Sequence, residues 1–155
     1  MNVDENNMSI LGYDKQKGFF PFSAEGIDKN VPENATGVYL LSKGQVNDKG
    51  LYIVSYVGRA EATESEDLRK RLHAHLNNPD WQDKKGDSDE CIFKVFWYYL
   101  EPDGLSAYKR ECLDYHRFGG KALLLNKNHP DRRDGHPEDC CPVTGCEEAA
   151  PETKD

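Results

Sequence analysis

The stretch that decides the fold runs from Gly37 to Ala60 and reads GVYLLSKGQVNDKGLYIVSYVGRA. Two runs rich in β-branched and aromatic residues flank a middle that supplies the Gly, Asn and Asp of a hairpin loop. The pattern predicts a β-hairpin in which each arm carries a tyrosine close to a glycine, Tyr39 on the first arm and Tyr56 on the second. A hairpin core needs apolar residues on one face but has no need for two phenols close together. The two tyrosines are therefore the first candidates for a functional site.

The bulk composition limits the classes of protein that remain. A chain of 155 residues is expected to form one domain, and its 37% hydrophobic and 31% charged residues suit a globular fold. No apolar run approaches the ~18 residues that a membrane span requires, and the polar start MNVDENNMSI is not a secretory signal. Three of the five cysteines crowd into CCPVTGC, so a disulfide framework is not expected. These features predict a cytoplasmic protein without membrane contact.

The charge distribution matters more for a nucleic-acid partner than the net charge does. The net charge of −8 is unfavourable, because phosphate binding relies on Lys and Arg. The excess of acidic residues, however, lies in residues 1–34 and 134–155, and the centre of the chain is close to neutral. The centre is therefore compatible with a local basic groove, although it does not demand one.

Hydrophobic periodicity divides the chain into three segments. Residues 1–30 show no sustained period and are expected to form an irregular lead-in. Residues 31–130 hold the hairpin, a helix opened by a capping box at Thr63 and Glu66, the strand CIFKVFWYYL, and a second helix that begins at Asp103 and Gly104. Residues 131–155 are expected to form an acidic, cysteine-containing tail with little order. This succession predicts an α+β fold with a small three-stranded antiparallel β-sheet flanked by helices.

Four polar side chains stand at the edges of the apolar stripes. Arg71 and His75 lie four residues apart on the first helix, between its leucine stripe and solvent. Glu111 borders the apolar stripe of the second helix, and Asn126 sits in the apolar setting LLLNKN, where it needs a hydrogen-bond partner. The strand tyrosines have an ordinary explanation as half-buried packing, Arg71 and His75 as part of a solvated charged face, and Glu111 as part of a surface ion pair on its own helix. Taken singly, none of them indicates an enzyme.

Taken in order, these residues match a family. The succession GVY, then YVG, then DLRKRLHAH, then a helix with Glu111, then Asn126 closely resembles the GIY-YIG nuclease superfamily over Val31 to Pro130. Valine replaces isoleucine in both tripeptides, which is a substitution common in that family. The resemblance implies an active site lined by two tyrosines, an arginine and a glutamate, with a nearby histidine, a late asparagine and two structural glycines. The matching positions are Tyr39, Tyr56, Arg71, Glu111, His75, Asn126, Gly37 and Gly58.

The resemblance further implies a Mg²⁺-dependent (or Mn²⁺-dependent) endonuclease that hydrolyses DNA phosphodiester bonds. Glu111 would hold the metal, and Arg71 would clamp phosphate oxygens with its planar, always charged fork. Tyr39, Tyr56 and His75 stay open as alternatives for activating the attacking water, and Asn126 would orient the site. Additional contacts with the substrate are expected from three cations near the motifs, namely Arg59, Arg69 and Lys70.

Two other interpretations stay open at this point. The fold could serve a non-catalytic module that binds nucleic acid or a partner protein. The partners considered are branched or specific-sequence DNA and a protein that directs this chain to its DNA target. The tail could also bind Zn²⁺, which favours four N or S ligands. Zinc is not expected, because the spacing fits no standard C-x₂-C pair. The tail residues considered for it are His129, His136, Cys140, Cys141 and Cys146.

Overall fold

The computed structural model describes residues 12–14, 19–83 and 90–149. Within these ranges, five strands form one antiparallel sheet and two more form a separate ladder. In chain order the strands are β1 (Gly12–Asp14), β2 (Phe20–Pro21), β3 (Gly37–Val46), β4 (Leu51–Ala60), β5 (Gln82–Asp83), β6 (Glu90–Cys91) and β7 (Val95–Leu100). The helices are α1 (Ala24–Asn30), α2 (Leu68–Leu76), α3 (Gly104–Arg117) and α4 (Gly120–Leu123), with a 3₁₀ helix over Pro79–Trp81. The larger sheet has the order β1, β4, β3, β7, β2, and β5 pairs with β6.

The predicted hairpin forms the centre of the sheet. β3 pairs antiparallel with β4 on one side and with β7 on the other. Tyr39 lies directly opposite Gly58 in the β3–β4 ladder, and Tyr56 lies two residues before Gly58. Because side chains alternate along a strand, the two tyrosines point to the same face of the sheet. The sequence pattern therefore brings both phenols to one side.

Each face of the sheet is covered by helices. On the face of Tyr39, the buried core joins the sheet to Ile27 of α1 and to Leu68 and Leu72 of α2. On the opposite face, Val38 and Val57 pack against Ala107 and Tyr115 of α3. Antiparallel strands with helices on both faces confirm the predicted α+β class.

Capping side chains fix where the two main helices begin. Asp67 caps α2, accepting a hydrogen bond from the Lys70 amide at 2.8 Å. Thr63 does accept from the Glu66 amide at 3.0 Å, but this pair forms a turn before the helix. The predicted start of the helix at Thr63 is therefore wrong, since Asp67 takes the cap. Asp103 caps α3 as predicted, accepting from the Ser106 amide at 2.8 Å.

The prediction of an irregular lead-in is wrong for the part of residues 1–30 that the structure describes. β1 pairs with β4, β2 pairs with β7, and α1 packs its buried Ile27 into the core. The sheet consequently has five strands where three were predicted. Strands of two or three residues are too short to show a period in sequence, which explains why the pattern missed them.

The tail also differs from its prediction, because residues 131–149 pack on the domain. Cys141 is only 2% exposed and contacts Tyr108 and Cys112 of α3. The Arg133 guanidinium donates two hydrogen bonds to the Asp139 carboxylate, at 2.8 and 2.9 Å. Apolar periodicity does not detect a segment that is held by thiols and ion pairs. Across the described ranges, none of the helices is both long enough and apolar enough to cross a membrane.

Candidate functional site

A groove of about 690 Å³ lies where β3, β4, α2 and α3 meet the tail. Gly58 of β4 forms part of its wall. The groove brings together residues that lie as far apart in sequence as positions 39 and 136. Its lining includes five side chains singled out from the sequence, namely Tyr39, Tyr56, Arg59, Arg71 and Glu111.

Behind the groove, aromatic rings hold His75 in place. The hydroxyl of Tyr39 forms a short hydrogen bond with His75 Nε2. The ring of Tyr56 meets His75 edge-on at a centroid distance of 5.3 Å, and Trp81 stacks on it at 4.6 Å. Such contacts leave the imidazole little freedom. Trp81 belongs to the site although nothing in its sequence context marked it.

Burial sets the protonation of these groups. Burial, helped by the nearby Arg71 guanidinium, lowers the pKa of His75 to about 4, so its imidazole is neutral at pH 7. Burial also raises the pKa of Tyr39 and of Tyr56 above the ordinary phenol value. Neither tyrosine is therefore a phenolate at neutral pH, and the neutral imidazole is the group beside Tyr39 that can accept a proton.

Glu111 is a buried carboxylate, 7% exposed, that projects from α3 toward the groove. Burial raises its pKa to about 7, while the ion pair with Arg59 opposes this shift. The ion pair joins Arg59 Nη1 to Glu111 Oε1 at 2.5 Å. Asp131, contributed by the tail, raises the pKa of Glu111 further. Arg59 lines the groove as predicted, but its guanidinium is engaged with the carboxylate.

Arg71 presents its guanidinium at the rim of the groove. Its side chain is 44% exposed, and its Nε lies 3.3 Å from Glu66 Oε2. This Nε is buried and has no well-directed hydrogen bond among the described groups. The remaining donors of a guanidinium fork suit the oxygens of a phosphate.

Arg69 and Lys70 do not share this position. The Arg69 guanidinium donates to the carbonyl of Val31, at 2.9 Å from Nε and 2.6 Å from Nη2, and to that of Asp28 at 3.2 Å. It thereby fastens α1 to α2, because it satisfies carbonyls at the end of α1. Lys70 is exposed, and neither residue is among the groove-lining residues in the described part of the chain. The predicted substrate-binding role does not fit the placement of Arg69.

Asn126 acts on the backbone of β4. Its Oδ1 accepts from the Val57 amide at 3.1 Å, and its Nδ2 donates to the Val57 carbonyl at 2.7 Å. The amide thus pairs with the strand between Tyr56 and Gly58, and Asn126 lines a second cavity of about 520 Å³ together with Tyr56 and Glu111. This placement makes Asn126 a positioning residue.

The two predicted glycines stand at close approaches between strands. A Cβ on Gly58 would lie 2.3 Å from the ring of Tyr39. A Cβ on Gly37 would lie 2.2 Å from the carbonyl oxygen of Tyr99. Real Cβ atoms do not approach so closely, so only glycine fits both positions. Gly58 in particular leaves the space that the Tyr39 ring occupies.

Hard oxygen ligands that suit Mg²⁺ are present at one place in the groove. Glu111 and Asp131 line both the groove and the neighbouring cavity, and each repels the charge of the other. A divalent cation would offset this repulsion, and carboxylates with water are the ligands that Mg²⁺ prefers. The donor set therefore fits the metal that the resemblance implies. Asp131 was missed from the sequence because it lies in the segment interpreted as an unstructured tail.

The chain is an α+β protein whose groove gathers two tyrosines, four arginines and five carboxylates. No family model, curated protein or solved structure matches it. What the groove can do is therefore decided by the chemistry of its side chains.

Proposed function

We propose that this protein is a Mg²⁺-dependent endonuclease that hydrolyses phosphodiester bonds in DNA, with Mn²⁺ as an alternative metal. One observation carries the proposal. Tyr39, Tyr56, Arg71 and Glu111 come from four different elements and line the same groove. A merely structural explanation would have to account for a buried carboxylate, an available guanidinium and two phenols at one place.

Glu111 would hold the metal, with Asp131 as a second oxygen ligand. When bound, Mg²⁺ would neutralise charge on the phosphate and stabilise the departing oxygen. Arg59 keeps Glu111 partly ionised near neutral pH, since its ion pair opposes the effect of burial. Arg59 is therefore a positioning residue for the carboxylate in this mechanism.

Arg71 would bind the phosphate oxygens. Its guanidinium is always charged, its fork is planar, and it sits at the exposed rim of the groove. Preorganised donors of this kind are worth about 2.7–4 kcal/mol in comparable oxyanion sites. Arg71 is the groove arginine best placed for this role, because the other groove arginines are held in closer ion pairs than its own with Glu66. Those pairs are Arg59 with Glu111, Arg132 with Glu148 and Arg133 with Asp139.

Tyr39 and His75 would move the proton released by the attacking water. The raised pKa of Tyr39 argues against a stable phenolate, but its hydroxyl can take up one proton while passing its own to His75 Nε2. His75 can accept that proton because its depressed pKa keeps it neutral at pH 7. Tyr56 lines the same groove and would position the water or the phosphate.

The test is cleavage of supercoiled plasmid, single-stranded DNA and a branched junction, with Mg²⁺ or with EDTA. We expect Mg²⁺-dependent cutting by the wild type. Glu111→Gln and Arg71→Ala should each lower the rate by about 10²- to 10³-fold, because each removes one preorganised charge. The matched controls are Glu25→Gln and Lys29→Ala, which change exposed residues of α1 and should cut like the wild type.

The outcomes separate the nuclease from a non-catalytic binding module on the same fold. Wild-type rates in both Glu111→Gln and Arg71→Ala would sink the proposal. Folded wild-type protein that binds these DNA substrates but cuts none of them would favour the binding module. Circular dichroism of each variant guards against a loss of activity that reflects unfolding.

A further inference from the structure

A cysteine–histidine cluster lies at the C-terminal end of α3, outside the groove. It consists of His116, His129, Cys141 and Cys146, and one ligand atom from each lies within 4.8 Å of the others. His129 Nε2 is 3.4 Å from Cys146 Sγ, and the rings of the two histidines are 5.2 Å apart. The cluster joins the last turn of α3, the loop before the tail, and the tail itself.

These separations are close to those of a tetrahedral zinc site. Zn–S bonds of about 2.3 Å and Zn–N bonds of about 2.0–2.1 Å place tetrahedral ligand atoms roughly 3.3–3.8 Å apart. The distance from His129 Nε2 to Cys146 Sγ already falls in that range. The other pairs need to close by at most about 1.5 Å, which is within the reach of side-chain rotation.

The histidines are arranged as metal ligands require. His129 Nδ1 lies 3.0 Å from the carbonyl oxygen of Pro130, so that Nδ1–H donates and Nε2 keeps its lone pair on the side of Cys146. His116 Nε2 is buried and has no hydrogen-bond partner among the groups that the structure describes. A buried nitrogen without a partner is costly, and a bound metal would provide one.

The backbone also supports charge on both sulfurs. The Glu148 amide donates to Cys146 Sγ at 3.4 Å. The Val143 amide makes the equivalent contact with Cys141, again two residues after the cysteine. A cation at the centre of the cluster would supply the stabilisation that a thiolate still lacks.

We propose that His116, His129, Cys141 and Cys146 bind one structural Zn²⁺ ion. Two thiolates and two imidazoles select Zn²⁺ over Mg²⁺ by their softness, and a full set of four protein ligands is typical of a structural site. Binding releases the two thiol protons to solvent as the two Zn–S bonds form. The ligand set differs from the one considered in the sequence, since α3 provides His116 while His136 and Cys140 lie outside it.

The zinc site would fix the position of the tail residues that line the groove. Asp131 follows His129 by two residues and lines the groove, and the tail returns to the cluster at Cys141 and Cys146. Fastening both ends of this segment to α3 fixes the position of Asp131 relative to Glu111. The zinc proposal itself does not depend on nuclease activity.

The test measures the metal directly. The full chain, purified under reducing conditions with zinc supplied, should contain about one Zn²⁺ per chain by elemental analysis. Co²⁺ in place of Zn²⁺ should give the visible bands of a tetrahedral site and a thiolate-to-cobalt charge-transfer band. Cys146→Ala and His129→Ala should lose most of the metal, whereas Cys140→Ala, which changes the neighbouring cysteine outside the cluster, should keep it.

Three results would overturn the proposal. One is zinc content below about a tenth of an equivalent together with a Co²⁺ spectrum that lacks the thiolate band, both measured on the wild type and so independent of any variant's folding. Another is a Cys141–Cys146 disulfide in the reduced preparation, detected by mass spectrometry. The third is equal loss of zinc in Cys140→Ala and Cys146→Ala.

Discussion

The groove and the cysteine–histidine cluster share helix α3 but are built in different ways. Except for Asp131, the side chains proposed for the chemistry of the groove lie on strands and helices, with Tyr39 on β3, Arg71 on α2 and Glu111 on α3. The cluster takes only His116 from a helix, and its other three members lie in irregular chain. Regular elements fix the direction of a side chain by their period, whereas an irregular segment needs an additional constraint. The part of the groove that strands and helices form can therefore be rigid by packing alone, and the cluster gains most from a metal.

The two regions also differ in the chemistry of their donors. The groove offers carboxylate oxygens and guanidinium groups, which suit a hard cation and a phosphate. The cluster offers imidazole nitrogens and thiols, which suit zinc. Two metals placed at these sites would not compete, because each donor set disfavours the other ion. The segment from His129 to Asp131 joins the two regions, so a change in the cluster can reach the groove through Asp131.

Glycine substitutions should give the largest contrast between the two regions. Gly58→Ala places a Cβ about 2.3 Å from the Tyr39 ring, which cannot easily move because it is buried and hydrogen-bonded to His75. We expect a loss of about 1–3 kcal/mol or more in the free energy of unfolding, because overpacking forces strain. Gly145→Ala in the tail meets open space and suffers only its φ of +86°, for a loss of about 1 kcal/mol. Urea denaturation of both variants measures the difference.

A double-mutant cycle sharpens this first prediction. If Gly58→Ala acts through the Tyr39 ring, the loss should shrink in a Tyr39→Ala background, giving a coupling of at least about 1 kcal/mol. Additive losses would show that the strain arises elsewhere in the ladder. Equal losses for Gly58→Ala and Gly145→Ala would contradict the distinction between a packed groove and an open tail.

The second prediction separates two arginines on one helix. Arg69→Ala removes hydrogen bonds to the carbonyls of Asp28 and Val31, and should lower the free energy of unfolding by about 1–3 kcal/mol. Its cleavage rate per folded molecule should stay close to that of the wild type. Arg71→Ala should show the reverse, with a small change in stability because its ion pair with Glu66 is partly exposed. Thermal unfolding and cleavage of the same samples provide the comparison.

The cleavage assay of Arg69→Ala is run below 25 °C, well under its melting temperature. A rate lower than that of the wild type under these conditions would return Arg69 to the substrate-binding role that the sequence predicts. Lys29→Ala, which removes an exposed cation from α1, controls for the loss of one positive charge. Its stability and its rate should both stay near the wild-type values.

The sequence predicts the groove better than the cluster for a physical reason. Tyr39, Tyr56, Arg71 and Glu111 lie on elements whose periods can be read from the residues, so their common location follows from the hairpin and the helix stripes. The two edge strands and α1 are too short to show a period, and they were missed. Trp81 ends a 3₁₀ helix of three residues and Asp131 lies in irregular chain, so neither belongs to a segment that can show a period.

The cluster shows the same limit more clearly. The three tail cysteines are visible in the sequence, but their spacing alone does not distinguish Cys141 and Cys146 from Cys140. The fourth member, His116, lies on α3 and becomes a neighbour only because the tail folds back on that helix. Long-range contacts of irregular chain cannot be predicted from local spacing. The four members of the proposed zinc site could therefore be recognised together only in the structure.

The smallest expected effect concerns the pKa of Glu111, which two residues of the groove shift in opposite directions. Arg59, on strand β4, lowers the pKa of this carboxyl, while Asp131, in the tail, raises it. Arg59→Met should therefore move the pKa upward from about 7, and Asp131→Asn should move it downward. Each change should be on the order of one pH unit or less, worth up to about 1.4 kcal/mol. A carbon-13 NMR titration of the Glu111 carboxyl in metal-free protein measures both.

The direction of the Glu111 pKa shift can also be checked through the pH dependence of the free energy of unfolding. Folding raises the pKa of Glu111 from 4.5 to about 7. Between these two pH values, the folded state therefore keeps a proton that the unfolded chain has already lost. Glu111 therefore makes the free energy of unfolding fall as pH rises from 4.5 to 7, and Glu111→Gln should remove that slope. His75, with its pKa lowered to about 4, acts in the opposite direction below pH 6.5, so the variant's stability should instead rise with pH there. A Glu111 pKa that stays unchanged in both Arg59→Met and Asp131→Asn would mean that burial alone controls this carboxyl, and that neither Arg59 nor Asp131 acts on it electrostatically.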